Sequence, residues 1–317
     1  MQSYEKLEHE FASWLELDPQ CMVACNSGTA ALHLAATALE LPIRGQILIP
    51  EFTIVSCARA AALADLYPVF VDCADNLLME TACESYMTSK TCAIMPVHIY
   101  GRRFPVNELT KYSAVCIEDL AEAHGIKPHE ESAAACWSFY QNKIVRGEEG
   151  GAVYFKSVDV ANIARELRCI GFTARHNFLH RPGGMNYRLP NFQASLIRDS
   201  LKRADENIEK RRNVANAYDK HIPQEMHMPP RDVDWVYDIK LPEGIHAEET
   251  VRLLNAKNVP ARVSFRPMSQ QTEFKGHFKH LNAYRLSQRV IYFPVYPDMT
   301  EEVVKDYVDI FFRTIKS

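Results

Sequence analysis

The chain has 317 residues, 47% hydrophobic and 24% charged, which excludes a disordered composition and leaves room for one large domain and a smaller one. A formal charge of −4 and a pI near 6.3, with lysine and arginine dispersed, exclude a nucleic-acid footprint and favour a small-molecule partner. No apolar run approaches the ~20 residues of a membrane span, and the opening MQSYEKLEHEFASWLEL is too acidic for a signal peptide, so the expectation is a cytoplasmic protein. Nine cysteines without a CxxC pair or zinc-type spacing imply reduced thiols, with no disulfide and no metal assigned.

Leu7, Phe11, Trp14 and Leu15 recur at helical spacing and predict an amphipathic helix over Glu5 to Leu17. A short apolar strand, Met22 to Cys25, then meets Asn26, Ser27, Gly28 and Thr29 before an alanine- and leucine-rich helix. This turn has two readings. Unpaired N–H groups at a helix N-terminus attract an anion, and Gly28 removes the side chain that would block one, so the turn suits a phosphate. A plain Ser or Asn helix cap is the other.

Gln46 to Pro50 reads as a strand and EFTIVSCARAAALA as a helix. Tyr67 to Cys73 and Cys92 to Gly101 are two further apolar runs, the second holding His98, which sits either near a ligand or in the packing. Strands alternating with helical stretches indicate βαβ units and a mainly parallel sheet. The GxGxxG fingerprint of a dinucleotide fold is absent.

Ala114 to Ile117 and Ala134 to Phe139 are apolar enough for buried strands, with Asp119 just past the first and Lys143 shortly after the second. Carboxyl ends of parallel strands are where α/β sheets bind ligands. A lysine and a carboxylate there are the pair a pyridoxal-phosphate (PLP) enzyme needs. The amine forms the Schiff base that holds the cofactor, and the carboxylate keeps the ring nitrogen protonated. A solvated loop lysine and an aspartate helix cap explain the same two residues.

Leu196 to His221 predicts one long charged helix joining two domains. Beyond it, VYDIKLP reads as a strand, EETVRLLNAKNVPARVSF as a helix and a strand, and EEVVKDYVDIFFRTI as a terminal helix. The expected organisation is an α/β large domain over residues 1–205 and a smaller C-terminal α/β domain over 206–317.

The segments IEDLAEAHG, SFYQNK and GEEGG resemble the DegT/StrS-type sugar aminotransferases, and the perosamine synthases in particular. NSGTAALHLA, PVHIYG and MNYRLPNFQASL match the same family in the expected order, so the resemblance runs from about Phe11 onward. It implies the aspartate-aminotransferase fold (fold type I) and PLP, with Lys143 as the Schiff-base lysine and Asp119 as the ring-nitrogen partner. It places Gly28, Thr29 and Ser138 at the cofactor phosphate and Glu122 at the ring hydroxyl or the substrate. Asn186 is the family's residue that reaches across a dimer interface to the partner's cofactor, so a homodimer with shared sites is implied.

The implied activity is amino transfer, with glutamate the family's usual donor, to a keto sugar, most specifically a nucleotide-linked 4-keto-6-deoxy sugar. Arg188, Arg262, Arg266, Tyr187 and Phe265 are candidates for holding the nucleotide end. The chain departs from the family at three places: Ile54 stands where the family has an aromatic residue stacked on the cofactor ring, so ring stacking is left unassigned, while Ser269 where a substrate-facing histidine is common and the lack of the family's opening segment point to weak sugar binding. They also keep a regulatory PLP or nucleotide-sugar binding protein as an alternative. A sugar dehydratase of the same family is a third reading, opposed by Lys143, since a histidine usually stands there.

Overall fold

A computed structural model of the chain describes residues 2–173, 178–274 and 281–316. Helix α1 (Ser3–Trp14) buries Leu7, Phe11 and Ala12 on one stripe. It ends before the predicted Leu17 because Glu16 adopts a left-handed backbone, φ 55°. Strand β1 (Met22–Cys25) leads into helix α2 (Gly28–Ala38), which starts where the Ser27 hydroxyl accepts the Ala30 N–H at 3.1 Å. Strand β2 (Gln46–Pro50), helix α3 (Val55–Leu63), and strands β3 (Tyr67–Val71) and β4 (Thr91–Ile94) follow. Next come β5 (Val115–Asp119), β6 (Ala134–Ser138) and β7 (Gly151–Phe155).

These strands form a seven-stranded sheet in the order β1-β7-β6-β5-β4-β2-β3. From β3 to β6 all neighbours are parallel, as the βαβ pattern predicts, whereas β7 is antiparallel to both β6 and β1. The reversal has a local cause. A parallel return needs a long crossover, usually a helix, and residues 139–150 between β6 and β7 form only turns. Lys143 rides on that loop. Asp119 is the last residue of β5, one step inside the strand rather than past it, and Ser138 is the last of β6. Both therefore reach the carboxyl edge of the parallel strands, and α2 packs across β6 and β7 beside them.

Helices α4 (Val158–Arg168), α5 (Asn191–Leu201) and α6 (Ala204–His221) come next. Strand β8 (Val236–Lys240), helix α7 (Ala247–Ala256), strand β9 (Arg262–Val263), helix α8 (Leu281–Ser287), strand β10 (Val290–Pro294) and helix α9 (Glu301–Ile315) finish the chain. The single helix expected over Leu196 to His221 is two helices, broken at Lys202 and Arg203, where Arg203 leaves helical geometry at φ −114°, ψ 16°. Tertiary packing explains the break. Helix α5 lies on α1, with Arg198 holding Glu10 at 2.7 and 2.6 Å, while α6 lies on α9. Different docking directions override a continuous helical sequence.

Strand β10, which the sequence reading does not name, is the centre of an antiparallel sheet ordered β8-β10-β9. Tyr218, Tyr237, Ile239, Leu254, Phe293 and Phe311 form a buried cluster there. The main core is a second cluster, around Phe11, Leu48, Phe70, Trp137 and Phe155. A polar seam ties the segment before β8 to the turn after β4. Asp238 accepts Arg102 at 2.9 Å and Arg231 at 2.8 Å. Burial opposes its charge, but the two guanidiniums outweigh that and hold the carboxyl below its ordinary pKa. Gly101, at φ 84°, completes the seam, since a Cβ there would lie 1.8 Å from the Val233 carbonyl oxygen. No described helix is long and apolar enough to cross a membrane.

Candidate active site

The carboxyl ends of β5 and β6, the N-terminal turns of α2 and α3, and residues just before β8 enclose a cavity of about 390 Å³. Gly28, Thr29, Asp119, Glu122, Ser138 and Lys143 all line it. Asn186 does not: it is exposed and bridges to Cys169 outside the cavity.

The polar corner is built by close approach. An added Cβ on Gly28 would lie 2.7 Å from Ser138 Cβ and 3.1 Å from Ser138 Oγ, so a glycine is what lets the start of α2 rest against the end of β6. Thr29 Oγ1 donates to Ser56 Oγ at 2.9 Å and joins the first turns of α2 and α3. Hydroxyls of Ser27, Thr29, Ser56 and Ser138 thus belong to one cavity wall, together with a helix N-terminus that favours an anion.

Deeper in, Asp119 is 2% exposed, accepting the Ala121 N–H at 2.9 Å on Oδ1 and the Cys57 thiol at 3.2 Å on Oδ2. Burial raises its pKa, while those donors and the nearby Lys143 pull it back. Lys143 is 9% exposed, with Nζ 3.7 Å from Glu122 Oε1 and 3.9 Å from the centroid of the Trp235 ring. Burial lowers the pKa of its amine against the pull of Glu122 and Asp119. Glu122 Oε2 accepts the N–H of Tyr100 at 2.9 Å, and Tyr100 holds a left-handed backbone, φ 53°, to deliver it. Burial pushes the Glu122 carboxyl up to about 7, with Lys143 opposing. Two carboxyls and one amine therefore share a desolvated space, in which Glu122 is the group that titrates near neutrality.

The Lys143 loop is pinned on several sides. The Phe139 N–H donates to Gly150 O and the Gly147 N–H to Phe139 O, both at 2.8 Å. His124 Nδ1 accepts the Val145 N–H at 2.9 Å. Burial, aided by the Lys143 charge, lowers the His124 pKa to about 3, so this ring is neutral and structural. His98 is also structural. Its Nδ1 accepts the Phe104 N–H at 3.1 Å, so Nε2 carries the proton and donates to Glu118 at 2.8 Å, away from the cavity.

The sequence departures also find places. Ile54 lines the cavity mouth, 42% exposed, so an apolar side chain stands where an aromatic one was expected. Ser269 does not line the cavity; its N–H donates to Glu51 Oε1 at 2.8 Å and its hydroxyl donates to the same oxygen. Of the nucleotide-end candidates, Arg262 and Phe265 line the cavity. Arg266 pairs with Glu248 on the surface, Arg188 is exposed, and the Tyr187 hydroxyl bonds His33 Nδ1 at 2.8 Å. Sequence reasoning missed Trp235, Tyr292, Ser56 and Cys57, which sit in no recognisable motif. An aromatic residue immediately before a strand was the only signal for Trp235.

The same fold is found in solved aminotransferase structures. The solved structure of DesV from S. venezuelae superposes with a TM-score of 0.90 at 23% identity, covering 100% of this chain and 90% of that one. A PLP-form structure of the putative sugar aminotransferase Spr1654 from Streptococcus pneumoniae gives 0.91 at 20% identity, covering 100% and 92%. At such identities the likeness speaks for the fold. A profile of the DegT/DnrJ/EryC1/StrS aminotransferase family matches residues 2–312, and the chain belongs to that family. The GDP-perosamine synthase of Caulobacter vibrioides is 31% identical over 267 residues, covering 78% of this chain and 72% of its own length. That of Escherichia coli O157:H7 is 28% identical over 318 residues, covering 95% and 86%. The family and fold read from the sequence are both borne out.

Proposed function

We propose that the protein binds PLP in this cavity through Lys143 and transfers an amino group from glutamate to a nucleotide-linked 4-keto-6-deoxy sugar. The observation that carries the reading is the convergence of Gly28, Thr29, Asp119, Glu122, Ser138 and Lys143, taken from three separate stretches of sequence, on one cavity. Relatives named GDP-perosamine synthase support the sugar class.

The residues present fit the cofactor. The gap left by Gly28 opens the α2 N-terminus beside Ser138 Oγ, and with Thr29 these donors suit a phosphate. Asp119, steadied at both oxygens, suits a protonated ring nitrogen. Glu122, able to hold or release a proton near neutrality, suits the ring hydroxyl. Bound PLP supplies an electron sink for the carbon that bears the amino group.

The chain's own groups do the rest. Lys143 Nζ, made less basic by burial, gives and takes a proton at that carbon. Trp235, Phe265 and Tyr292 wall the cavity against water, and Arg262 offers a cation to the diphosphate or donor carboxylate. A homodimer with shared sites belongs to the same reading. Its support is the exposure of Asn186 together with that of the apolar Phe178, Leu179, Met185 and Phe192 in the same stretch of chain. The division at residues 205 and 206 is likewise proposed, supported by the separate buried cluster around Tyr218 and Phe293.

Borohydride reduction of the PLP-loaded protein and peptide mapping should place the label on Lys143, and glutamate should bleach the lysine-linked absorbance beforehand. A label on another lysine refutes the assignment.

A further inference from the structure

Trp235 reaches Lys143 from the part of the chain that follows the long helices. Its indole N–H donates to Asn142 O at 2.9 Å, the residue just before the lysine. Its ring centroid lies 3.9 Å from Lys143 Nζ, well inside the ~6 Å reach of a cation–π contact. Both side chains are buried, which puts the contact at the stronger, desolvated end of its range. The tryptophan is itself fixed: Arg211 Nη1 donates to its carbonyl at 3.0 Å, and Tyr100 and Tyr292 crowd the ring at 6.1 and 6.4 Å between centroids.

We propose that Trp235 is the positioning residue for Lys143, its ring face holding the side-chain ammonium when the amine is not joined to cofactor and its N–H fixing the loop. A long lysine side chain has much rotamer freedom to lose, and Glu122, at 3.7 Å, touches it from only one side. A carboxylate in place of the ring would hold the ammonium too tightly to let the proton go. The neutral ring face steers the amine and favours its charged form, but less strongly than a second carboxylate would. The other titratable or charged groups facing Lys143 or lining its cavity are Asp119 on β5, Glu122 and His124 after it, Cys136 on β6, Tyr140 and Glu149 on the Lys143 loop, Tyr292 on β10 and Arg262 on β9.

The functional consequence rests on Lys143 being the cofactor lysine, but the test does not need cofactor. Apoprotein would be trace-labelled with acetic anhydride across pH and the modified peptides quantified by mass mapping, with surface lysines as internal standards. Trp235→Leu should move the Lys143 labelling midpoint down by about one pH unit, a roughly tenfold loss of ammonium stability, since the ring favours the charged form. Trp235→Phe keeps a weaker ring face and should move it down by less. A midpoint that stays at the wild-type pH or rises in either folded variant overturns the proposal. Borohydride mapping of the wild type decides the Lys143 assignment separately.

Discussion

Replacing Gly28 by alanine tests the cofactor corner at its tightest point. The new methyl would sit 2.7 Å from Ser138 Cβ and 3.3 Å from Ser138 Cα, against an ordinary carbon contact of about 3.5–4.0 Å. One of two things must move by about 1 Å, the end of β6 or the first turn of α2, and both carry the proposed phosphate donors. Overpacking of this kind costs about 1–3 kcal/mol, which is about five- to 150-fold if it falls on the bound state. Fold stability has an offsetting gain, because alanine is the better helix former by up to about 1 kcal/mol. Gly28 has no left-handed backbone, so strain in φ does not enter. Titrating apoprotein with PLP, followed by cofactor absorbance and tryptophan quenching, should show the dissociation constant raised by that factor with far-UV circular dichroism unchanged. An affinity within twofold of wild type would refute the packing argument.

Asp119→Ala should retain PLP yet lose turnover by about a hundredfold or more, because the lost contact acts on charge developed in the transition state; near-normal turnover contradicts it. Burial raises Glu122 from 4.5 to about 7, so folding tightens its proton and wild-type apoprotein loses stability as pH rises through that window. Glu122→Gln cannot ionise, so its melting temperature should gain on wild type between about pH 4.5 and 7 and then hold a constant lead; a gap independent of pH sinks the account. Mixing Lys143→Ala and Asn186→Ala protein should restore part of the activity if sites are shared, since one site in the hybrid then has neither defect. Proven subunit exchange without recovery would rule sharing out.

What the sequence made legible was local. Met22 to Cys25 and Gln46 to Pro50 appear as strands at their predicted bounds, because short apolar runs between turn signals have few alternatives. Asp119, Lys143, Ser138 and the Gly28 turn were legible because each lies in a dense motif. Contacts between distant stretches were not. Nothing around Cys57 or Trp235 announces that one will donate to Asp119 across 62 residues and the other to Asn142 across 93. The break between α5 and α6 was hidden for the same reason. Lys202 and Arg203 are ordinary helix formers, and only the diverging partners of the two helices separate them. Ser269 was legible only as a departure from the family pattern, and its bond to Glu51 could not be read from the sequence.

Amino transfer itself is the most direct measurement. Purified PLP-loaded protein would receive isotope-labelled glutamate with GDP- or dTDP-linked 4-keto-6-deoxy sugars, and the products would be read by mass spectrometry. The account predicts an amino sugar carrying the donor's nitrogen, formed with weak sugar affinity because Ser269 is bonded to Glu51 and does not line the cavity. Tight sugar binding without turnover would contradict it in favour of a regulatory protein, and amination of free keto sugars alone would show that the nucleotide was wrongly inferred.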